Sequence, residues 1–332
     1  MNIVVFEYED WEKAEFDTFK DDHHIVLDYE PLTAKRAAHY KDAQVITTFV
    51  NSDMGADVLK QMPDLKFIAT RSTGFDHIDL DYCKANDITV SNVPSYGEET
   101  VAEHVFALLL AISHKIPQAI NRTRQGNFSQ DGLQGFDLQG KTLGIIGTGH
   151  IGLNTIRIAG GFRMNVIAYD AYPDEAHAQE YDFTYVDFES VLRESDIISL
   201  HVPSNKHTHN LISHDEFAMM KDGVVIINTA RGDVLDVKAL LGALANKKVS
   251  AAGLDVLPEE PVIREEAELL RSFFTQSENM EALLADHILL HLDNVIITPH
   301  SAFNTKEATQ RILKTTIDNI GGFIKGDVIN AV

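Results

Sequence analysis

The sequence predicts an α/β protein built from two doubly wound parallel sheets. Its 332 residues are too many for one ordinary hydrophobic core. Short apolar runs alternate with polar, helix-favouring stretches along most of the chain, which is typical of parallel strands covered by helices on both faces. This alternation is interrupted once, over residues 97–128, and then starts again. We therefore expect two separate sheets, of about five and six strands.

The first sheet is predicted from the apolar runs that precede the interruption. These runs lie at 2–7, 24–30, 44–49, 65–70 and 88–93. Residues 97–128 then predict mostly one long helix, whose acidic first turn suits the helix dipole. Pro117 is expected to kink or end the first part of this helix, because proline lacks the amide hydrogen that a helix interior needs.

The second sheet is predicted from the runs that follow. They lie at 141–147, 165–170, 196–202, 224–230, 250–256 and 294–300. A long helical insertion is expected over 259–294, between the last two of these strands. Residues 304–326 predict an amphipathic helix with a Gly-Gly pair near its end.

Composition narrows the class of partners. The chain has 28 Lys and Arg residues against 50 Asp and Glu, a formal net charge of −22. Such a field repels nucleic acid and anionic lipid, so neither is expected as a partner. No apolar run is long enough to span a bilayer, and the acidic start does not resemble a signal peptide. A single cysteine, Cys83, excludes an internal disulfide, and we expect a cytoplasmic protein.

The stretch GIIGTGHIG at 144–152 follows a predicted strand and opens a predicted helix. Gly147, Gly149 and Gly152 fit the spacing G-x-G-x-x-G. In this pattern the first glycine permits a tight turn, the second lets the backbone approach a pyrophosphate, and the third lets the helix pack closely against the strand. The pattern alone also fits a purely structural turn, so the residues around it have to decide.

Asp170 favours the cofactor interpretation, because it ends the next predicted strand. A carboxylate at this position accepts hydrogen bonds from the ribose hydroxyls of adenosine. No arginine follows directly, so a 2′-phosphate would meet a negative charge without a counter-ion. The prediction is a dinucleotide site for NAD rather than NADP.

Three loops at the carboxyl ends of predicted strands carry side chains that could do chemistry. They are INTARGD with Arg231, GLDVLPEEP with Asp255, Glu259 and Glu260, and ITPHSAF with His300. Ligands bind at this edge of doubly wound sheets. Taken singly, each residue is commonly structural or solvated. Together they fit hydride transfer to a 2-oxo acid, since an arginine can grip a carboxylate and a histidine can exchange a proton near neutral pH.

These motifs, in this order, resemble the D-isomer-specific 2-hydroxyacid dehydrogenases. RSTGFDHIDL at 71–80 and VPSYGEETVAEHVFALLL at 93–110 extend the resemblance over nearly the whole chain. It implies a discontinuous, flavodoxin-like substrate domain made of residues 1–99 and 300–332. It also implies a Rossmann NAD-binding domain, residues 100–299, inserted into the first.

The resemblance implies roles for individual positions. Arg231 is similar to the substrate-binding arginine of the family, Glu260 to the carboxylate behind the histidine, and His300 to the general acid and base. Substrate contacts are implied for Thr73, Gly74, Tyr96, Arg231, His300 and Phe303. Cofactor contacts are implied for Gly147, Gly149, His150, Ile151, Gly152, Asp170, Val202, Pro203, Thr208, Thr229, Ala230, Arg231 and Asp255.

Within the family, the chain is similar to the D-lactate dehydrogenase branch. The long insertion with RSFF at 271–274 and Phe303 after the histidine carry this likeness. It implies reversible reduction of pyruvate to D-lactate. The loop TTFVN at 47–51 departs from the lactate pattern, which leaves substrate size open. Hydroxyisocaproate, phenyllactate, glyoxylate or hydroxypyruvate, and phosphoglycerate dehydrogenases are the alternatives.

Other classes of function share parts of this pattern. An NAD-sensing interaction protein of the corepressor type retains the same three residues, whereas formate dehydrogenase has a glutamine where this chain has Glu260. Two histidine pairs, His207 with His209 and His287 with His291, lack an obvious third ligand, so no metal site is expected.

The resemblance also bears on oligomeric state. Members of the family commonly pair through the NAD domain, which implies a homodimer. The apolar helix VAEHVFALLLAI at 101–112 is a candidate for the pairing face.

Overall fold

The computed structural model describes residues 1–75, 77–258 and 287–332. The chain divides into two compact units. The first unit consists of Met1–Tyr96 and Asn304–Val332, and the second unit is Gly97–Phe303. The roles expected for the two parts, substrate binding for 1–99 with 300–332 and NAD binding for 100–299, remain predictions.

Within the part of the chain that the structure describes, each unit contains one sheet, and all of its strands are parallel. In the first unit the strands are β1 (Asn2–Val5), β2 (His24–Leu27), β3 (Val45–Thr48), β4 (Phe67–Thr70) and β5 (Thr89–Ser91), in the spatial order β2-β1-β3-β4-β5. In the second unit they are β6 (Thr142–Ile146), β7 (Asn165–Tyr169), β8 (Thr184–Tyr185), β9 (Ile197–Leu200), β10 (Val224–Asn228), β11 (Val249–Leu254) and β12 (Val295–Ile297), in the order β12-β11-β10-β9-β6-β7-β8.

Helices connect these strands. They are α1 (Lys13–Phe16), α2 (Ala56–Leu59), α3 (Leu80–Ala85), α4 (Glu98–Ser113), α5 (Ile116–Arg124), α6 (His150–Gly161), α7 (Glu175–Tyr181), α8 (Phe188–Glu194), α9 (His214–Met219), α10 (Val237–Ala245) and α11 (Lys306–Lys325). Short 3-10 helices cover Asp10–Glu12, Asp17–Phe19, Ala37–Tyr40 and Gly232–Val234. Among the described residues, no helix combines the length and apolarity needed to cross a bilayer.

The first sheet is covered on both faces, as its near-continuous apolar strands predict. Ile3 and Val5 pack on one face, in a cluster that includes Ile320 of α11. Val4 and Phe6 point to the opposite face and join a separate apolar cluster. Successive side chains of a strand alternate between faces, so burial of both sets confirms a doubly wound α/β architecture.

The second sheet has seven strands rather than the expected six. The additional strand, β8, contains only Thr184 and Tyr185, which is too short for an apolar pattern to reveal. In this sheet the order reverses between β6 and β9, because later strands lie on one side of β6 and β7 on the other. Doubly wound sheets bind ligands at the carboxyl ends of the strands that flank such a reversal.

The expected single helix over 97–128 is two helices. α4 ends at Ser113, and Lys115 adopts a left-handed backbone with φ of +51°. Pro117 lies in the first turn of α5, where proline is tolerated because the amide hydrogens have no helical partner. Of the two expected outcomes, the helix ends rather than kinks, and Pro117 lies in the first turn of a second helix.

The apolar helix at 101–112 was the candidate pairing face, and that expectation is wrong for most of its side chains. Val105, Phe106 and Leu109 are buried inside the second unit, in one cluster with Leu143 and Ile227. This helix is apolar because it covers the sheet. A pairing face has to be sought elsewhere on the unit.

The helical insertion expected over 259–294, with RSFF at 271–274, falls mostly on 259–286. Those residues lie outside the described ones, and the insertion stays a prediction.

Candidate active site

The glycine turn after β6 is built by close backbone approach. Gly147 has φ of +98°, and a Cβ there would lie 2.8 Å from the carbonyl carbon of His201. A Cβ on Gly152 would lie 2.2 Å from the carbonyl oxygen of Gly147. Neither position can hold a larger residue without movement of the backbone, so α6 starts tightly against the turn.

Gly149 precedes α6 and differs from its two neighbours in the motif. A Cβ there would meet no atom within 4 Å, so the space beside it is open. No side chain caps the start of α6, and its first turn contains no acidic residue. The amides of His150 and Ile151 lie in this turn, and a helix N-terminus of this kind suits a phosphate group. The turn therefore fits the pyrophosphate of a dinucleotide.

Asp170 follows β7 and is tied to the glycine turn. Its Oδ2 accepts hydrogen bonds from the backbone amide of Thr148 at 2.7 Å and from Thr148 Oγ1 at 3.0 Å. Its Oδ1 accepts from the amide of Tyr172 at 2.9 Å. The half-buried carboxylate is thus fixed next to the turn, where the lone pairs that remain suit ribose hydroxyls. Thr148 was not singled out from the sequence, although it is the middle residue of the first G-x-G.

The loop after β9 completes this side of the site. A Cβ on Gly147 would lie 3.0 Å from Cγ1 of Val202, so Val202 lies directly against the turn. Thr208 Oγ1 donates to the carbonyl oxygen of Pro203 at 2.6 Å and accepts from the amide of Asn205 at 2.9 Å. These bonds close the loop over 203–208, so Val202, Pro203 and Thr208 lie in one ordered segment at the reversal point of the sheet.

Asn228, the last residue of β10, holds the loop that contains Arg231. Its buried side chain accepts from the amide of Ala230 at 3.0 Å and donates to the carbonyl oxygen of Arg231 at 2.9 Å. Gly232 continues the loop, and a Cβ there would lie 2.2 Å from the carbonyl carbon of Leu257. The half-buried guanidinium of Arg231 donates to the carbonyl oxygen of Ala230 at 2.8 Å. The backbone from which the Arg231 side chain extends is therefore fixed.

Thr229 lies in the same loop. Its Oγ1 is buried and has no hydrogen-bond partner among the described residues. A buried hydroxyl without a partner is costly, which fits a position that a polar ligand group completes. This observation accords with the cofactor contact that the resemblance implies.

Asp255 follows β11 and is 1% exposed. Its Oδ1 accepts from the hydroxyl of Thr298 and from the amide of Ser301 at 3.0 Å, and its Oδ2 accepts from the amide of Ala302 at 2.8 Å. Burial alone would raise the pKa of this carboxyl, but hydrogen bonds from His104, Thr298 and the two amides outweigh burial and lower it. The carboxylate is therefore ionised, and it anchors the loop over 298–302.

His300 lies inside that loop with a left-handed backbone, φ of +51°. Its amide donates to the carbonyl oxygens of Asp255 at 3.0 Å and Thr298 at 2.9 Å. A left-handed histidine is uncommon and persists where its surroundings determine it, which is frequent at functional sites. The ring is half-buried, as is Phe303 three residues later. Glu260, the carboxylate expected behind this ring, lies outside the described residues.

The expected substrate residues of the first unit lie in two loops that follow β4 and β5. The carbonyl oxygen of Ser72 accepts from the amide of Val93 at 3.0 Å, and that of Thr73 accepts from the side chain of Asn92 at 2.8 Å. In a trans peptide the N–H points opposite to the C=O, so these bonds fix the direction of the Thr73 and Gly74 amides. Two adjacent amides oriented together can bind a carboxylate.

Tyr96 is fixed through its backbone. Its carbonyl oxygen accepts from Nε of Arg311 at 2.7 Å. Arg311 lies on α11, so the C-terminal helix holds the residue at which the first unit ends before the second begins.

Glu7 holds the loop TTFVN and was missed by sequence reasoning. Its Oε1 accepts from the amide of Phe49 at 3.2 Å and from Ser52 Oγ at 2.6 Å. Its Oε2 accepts from the amide and the side chain of Asn51 at 3.1 and 3.0 Å. No local pattern reveals these contacts, because Glu7 and its partners are more than forty residues apart.

The described residues include no group of three or more His, Cys, Asp or Glu side chains placed to hold a metal ion. His209 lies 3.6 Å from Asp233 Oδ2, and Nδ1 of His291 lies 2.8 Å from the carbonyl oxygen of His287.

One family model and several known proteins are similar to this chain over most of its length. Residues 106–302 match the family model described as D-isomer specific 2-hydroxyacid dehydrogenase, NAD binding domain. The D-lactate dehydrogenase of Escherichia coli strain K12 is 35% identical, over 98% of each chain. The Aquifex aeolicus D-lactate dehydrogenase, solved with NAD and lactic acid, is 36% identical over 98% of this chain and 96% of that one, with a TM-score of 0.86. The pyruvate reductase of Chlamydomonas reinhardtii is 32% identical over 99% and 98%, with a TM-score of 0.88.

Proposed function

The chain belongs to the D-isomer-specific 2-hydroxyacid dehydrogenases, and on that basis we propose that it reduces a small 2-oxo acid to the D-2-hydroxy acid, with pyruvate and D-lactate as the first pair. Family membership makes it an oxidoreductase that uses NAD. The proposal rests on one structural observation: the loops of Arg231 and His300 lie at the same edge of one sheet, each fixed by a buried side chain, Asn228 or Asp255.

When bound, the nicotinamide cofactor would supply the hydride for reduction of the 2-oxo acid as NADH and would accept it as NAD⁺ in oxidation of the hydroxy acid. We assign its pyrophosphate to the turn at Gly147, Gly149 and Gly152 and to the amides of His150 and Ile151. The ribose of its adenosine is assigned to Asp170. The rest of the cofactor is assigned to Val202, Pro203, Thr208, Thr229, Ala230, Arg231 and Asp255.

The protein's own part in the reaction is to hold the acid and to move one proton. Arg231 binds the substrate carboxylate through paired hydrogen bonds, together with the amides of Thr73 and Gly74. In reduction, the protonated ring of His300 gives its proton to the carbonyl oxygen as that oxygen gains charge. In oxidation, the neutral ring takes the proton back from the hydroxyl. Glu260 is assigned the task of orienting the ring from its other nitrogen.

Pyruvate is placed first because relatives named D-lactate dehydrogenase match the chain over almost its whole length. Phe303 and Tyr96 are the proposed pocket residues. The loop TTFVN at 47–51, which Glu7 holds, is also proposed to line the substrate pocket. The D configuration of the product follows the family.

Two further proposals concern the protein as a whole. We propose a homodimer that pairs through the second unit, since members of the family commonly do so. We also propose a cytoplasmic location. Cys83 is the only cysteine, and burial raises the pKa of its thiol to about 11, which suits a protein that needs no disulfide and no reactive thiol.

The experiment that tests the function is a substrate panel. Purified protein is given NADH with pyruvate, phenylpyruvate, a branched 2-oxo acid, glyoxylate, hydroxypyruvate or phosphohydroxypyruvate, and the loss of NADH absorbance yields kcat/KM for each. We expect the highest value for pyruvate, and oxidation of D-lactate but not L-lactate in reverse. The His300→Ala variant is expected to lose about 100-fold or more in kcat while it still binds NADH. His214→Ala, at an exposed position on α9, is the matched control.

The outcomes separate the alternatives. A clear preference for a bulkier acid keeps the reaction and changes the substrate. Tight NADH binding without turnover of any acid contradicts the enzymatic proposal and favours an NAD-sensing protein.

A further inference from the structure

His104 lies on α4, far along the chain from the residues that the chemistry uses, yet its ring reaches the anchor of the His300 loop. Its Nε2 lies 3.0 Å from Thr298 Oγ1 and 3.5 Å from Asp255 Oδ1. The ring is half-buried and the Asp255 carboxylate is almost fully buried, with 21% and 1% of each side chain exposed. His104 lies in the stretch VPSYGEETVAEHVFALLL at 93–110, and the sequence analysis predicted no role for it.

The direction of each hydrogen bond in this cluster follows from the chemistry of the groups. Asp255 is ionised and can only accept. The single hydroxyl proton of Thr298 is directed to Asp255 Oδ1. The oxygen of Thr298 must then accept from His104, so the ring carries its proton on Nε2. The result is a directed chain from His104 through Thr298 to Asp255.

This chain of hydrogen bonds ends at Asp255, which holds the segment that gives His300 its backbone conformation. Asp255 also binds the amides of Ser301 and Ala302, and its carbonyl oxygen binds the amide of His300. A left-handed histidine is strained and persists only if the structure around it compensates. Thr298 directly follows β12 and begins this segment, and His104 donates to its hydroxyl oxygen.

We propose that His104 is a positioning residue for His300, acting through the ring Nε2–H bond to Thr298 and the bonds of Asp255 to the 298–302 loop. The proposal rests on the proposed function, in which His300 exchanges the proton. His104 itself touches neither substrate nor cofactor in this role. Loss of the hydrogen bond between His104 and Thr298 lets the 298–302 loop relax. A displacement of the His300 ring by a fraction of an ångström then lowers the rate of proton transfer more than the affinity for either ligand.

The test compares three variants by steady-state kinetics on the acid that the wild type turns over best. His104→Leu removes the donor while it keeps an apolar body of similar bulk. His104→Gln retains an N–H donor that can reach Thr298. His114→Leu, at the exposed end of the same helix, is the matched control.

We expect His104→Leu to lower kcat about tenfold with KM and the Kd for NADH changed less than about twofold. His104→Gln should recover most of the loss, and His114→Leu should match the wild type. A lower melting temperature of His104→Leu with unchanged kcat would show a merely structural role and overturn the proposal.

A second measurement does not depend on activity. Nitrogen-15 NMR of the histidine rings in the wild type reports which nitrogen is protonated, and the His104→Gln spectrum identifies the His104 signal by its loss. The Nε2–H form is expected, and the Nδ1–H form would contradict the directed chain even if the Leu variant fails to fold. A wild type without turnover on any 2-oxo acid would instead refute the proposed function, whatever the tautomer.

Discussion

His201 shows how one residue beside the glycine turn responds to pH. It follows β9 directly, its backbone lies against Gly147, and its Nε2 lies 2.9 Å from Ser199 Oγ. Burial lowers the pKa of His201 to about 4 from the ordinary value of 6.5. The ring is therefore neutral in the folded protein throughout the physiological range, and it acts as a packing and hydrogen-bonding group.

The sign of the resulting pH dependence follows from linkage. The unfolded chain gains a proton on His201 as pH falls through 6.5, whereas the folded chain gains it only near 4. The contribution of the neutral His201 ring to the free energy of unfolding is complete above pH 6.5 and is lost as pH falls from 6.5 towards about 4. We expect the free energy of unfolding of the wild type to fall more steeply in this window than that of His201→Gln, which cannot be protonated and can still bond Ser199.

Urea unfolding at a series of pH values measures both curves. His214→Gln, an exposed histidine of the same unit, is the control and should follow the wild type. Parallel curves for wild type and His201→Gln would contradict the assignment.

At this scale, the sequence reveals residues whose role is local and misses those whose role is set by distant partners. The placement of Arg231, Asp255 and His300 at the carboxyl edge of the sheet was predictable, because each lies within three residues of the end of an apolar strand. Glu7 and His104 were not, since their partners lie more than forty and more than a hundred residues away. Only folding brings such pairs together.

At the scale of elements, the contact between α6 and the glycine turn is the most constrained feature of the proposed cofactor site. Gly152 and Gly160 are both glycines of this helix, but only Gly152 faces an obstruction. A Cβ on Gly152 would lie 2.2 Å from the Gly147 carbonyl oxygen, whereas a Cβ on Gly160 would meet nothing within 4 Å.

The pair gives a matched prediction. Gly152→Ala should push the start of α6 away from the turn, lower stability by about 1–3 kcal/mol and weaken NADH binding about tenfold or more. Gly160→Ala should raise stability by up to about 1 kcal/mol, because alanine is the better helix former, and leave NADH binding unchanged. Titration calorimetry with NADH and urea unfolding measure both effects. Equal NADH affinities for the two variants would argue against a cofactor at this turn.

The elements themselves were largely predictable, and the exceptions have physical reasons. Every predicted apolar run contains a strand, because the runs are short, rich in branched residues and bounded by polar segments. A strand is shorter than its apolar run where a polar side chain binds the backbone just after the strand. After β3, for example, Glu7 accepts hydrogen bonds from the amides of Phe49 and Asn51. An end of the first helix near Pro117 was one of the two expected outcomes, but its position at Ser113 was not predictable, because the left-handed Lys115 has no sequence signature.

At the scale of the molecule, the late position of the glycine motif indicated that a separate unit precedes it, whereas the insertion of one unit into the other was implied only by the family resemblance. The charge of −22 predicts that nucleic acid is not a partner. What the sequence could not show is which apolar side chains remain exposed. The helix at 101–112 is more apolar than the helix that follows it, and it is the more deeply buried of the two because it covers the sheet. Apolar side chains on a helix therefore indicate burial in the core of the unit more readily than an interface with another chain.

The described part of the second unit leaves a different apolar surface exposed. Ile116 and Ile120 lie one turn apart on α5 and are 44% and 43% exposed, and Phe128 just beyond that helix is 80% exposed. Residues four apart share one face of a helix, so the two isoleucines form a stripe. We expect a second copy of this chain to cover this surface, because the family commonly pairs through this part of the chain.

Replacement of Ile120 by aspartate tests that expectation. A charge buried against an apolar partner face carries a large desolvation cost, so Ile120→Asp should weaken self-association at least tenfold and shift the sedimentation coefficient towards that of a single chain. Val328→Asp is the matched control, since Val328 is 40% exposed in the first unit and should leave the assembly unchanged. Monomers that retain kcat would separate assembly from chemistry. A wild type that sediments as a single chain at micromolar concentration, or an Ile120→Asp variant that stays a dimer, would exclude this face.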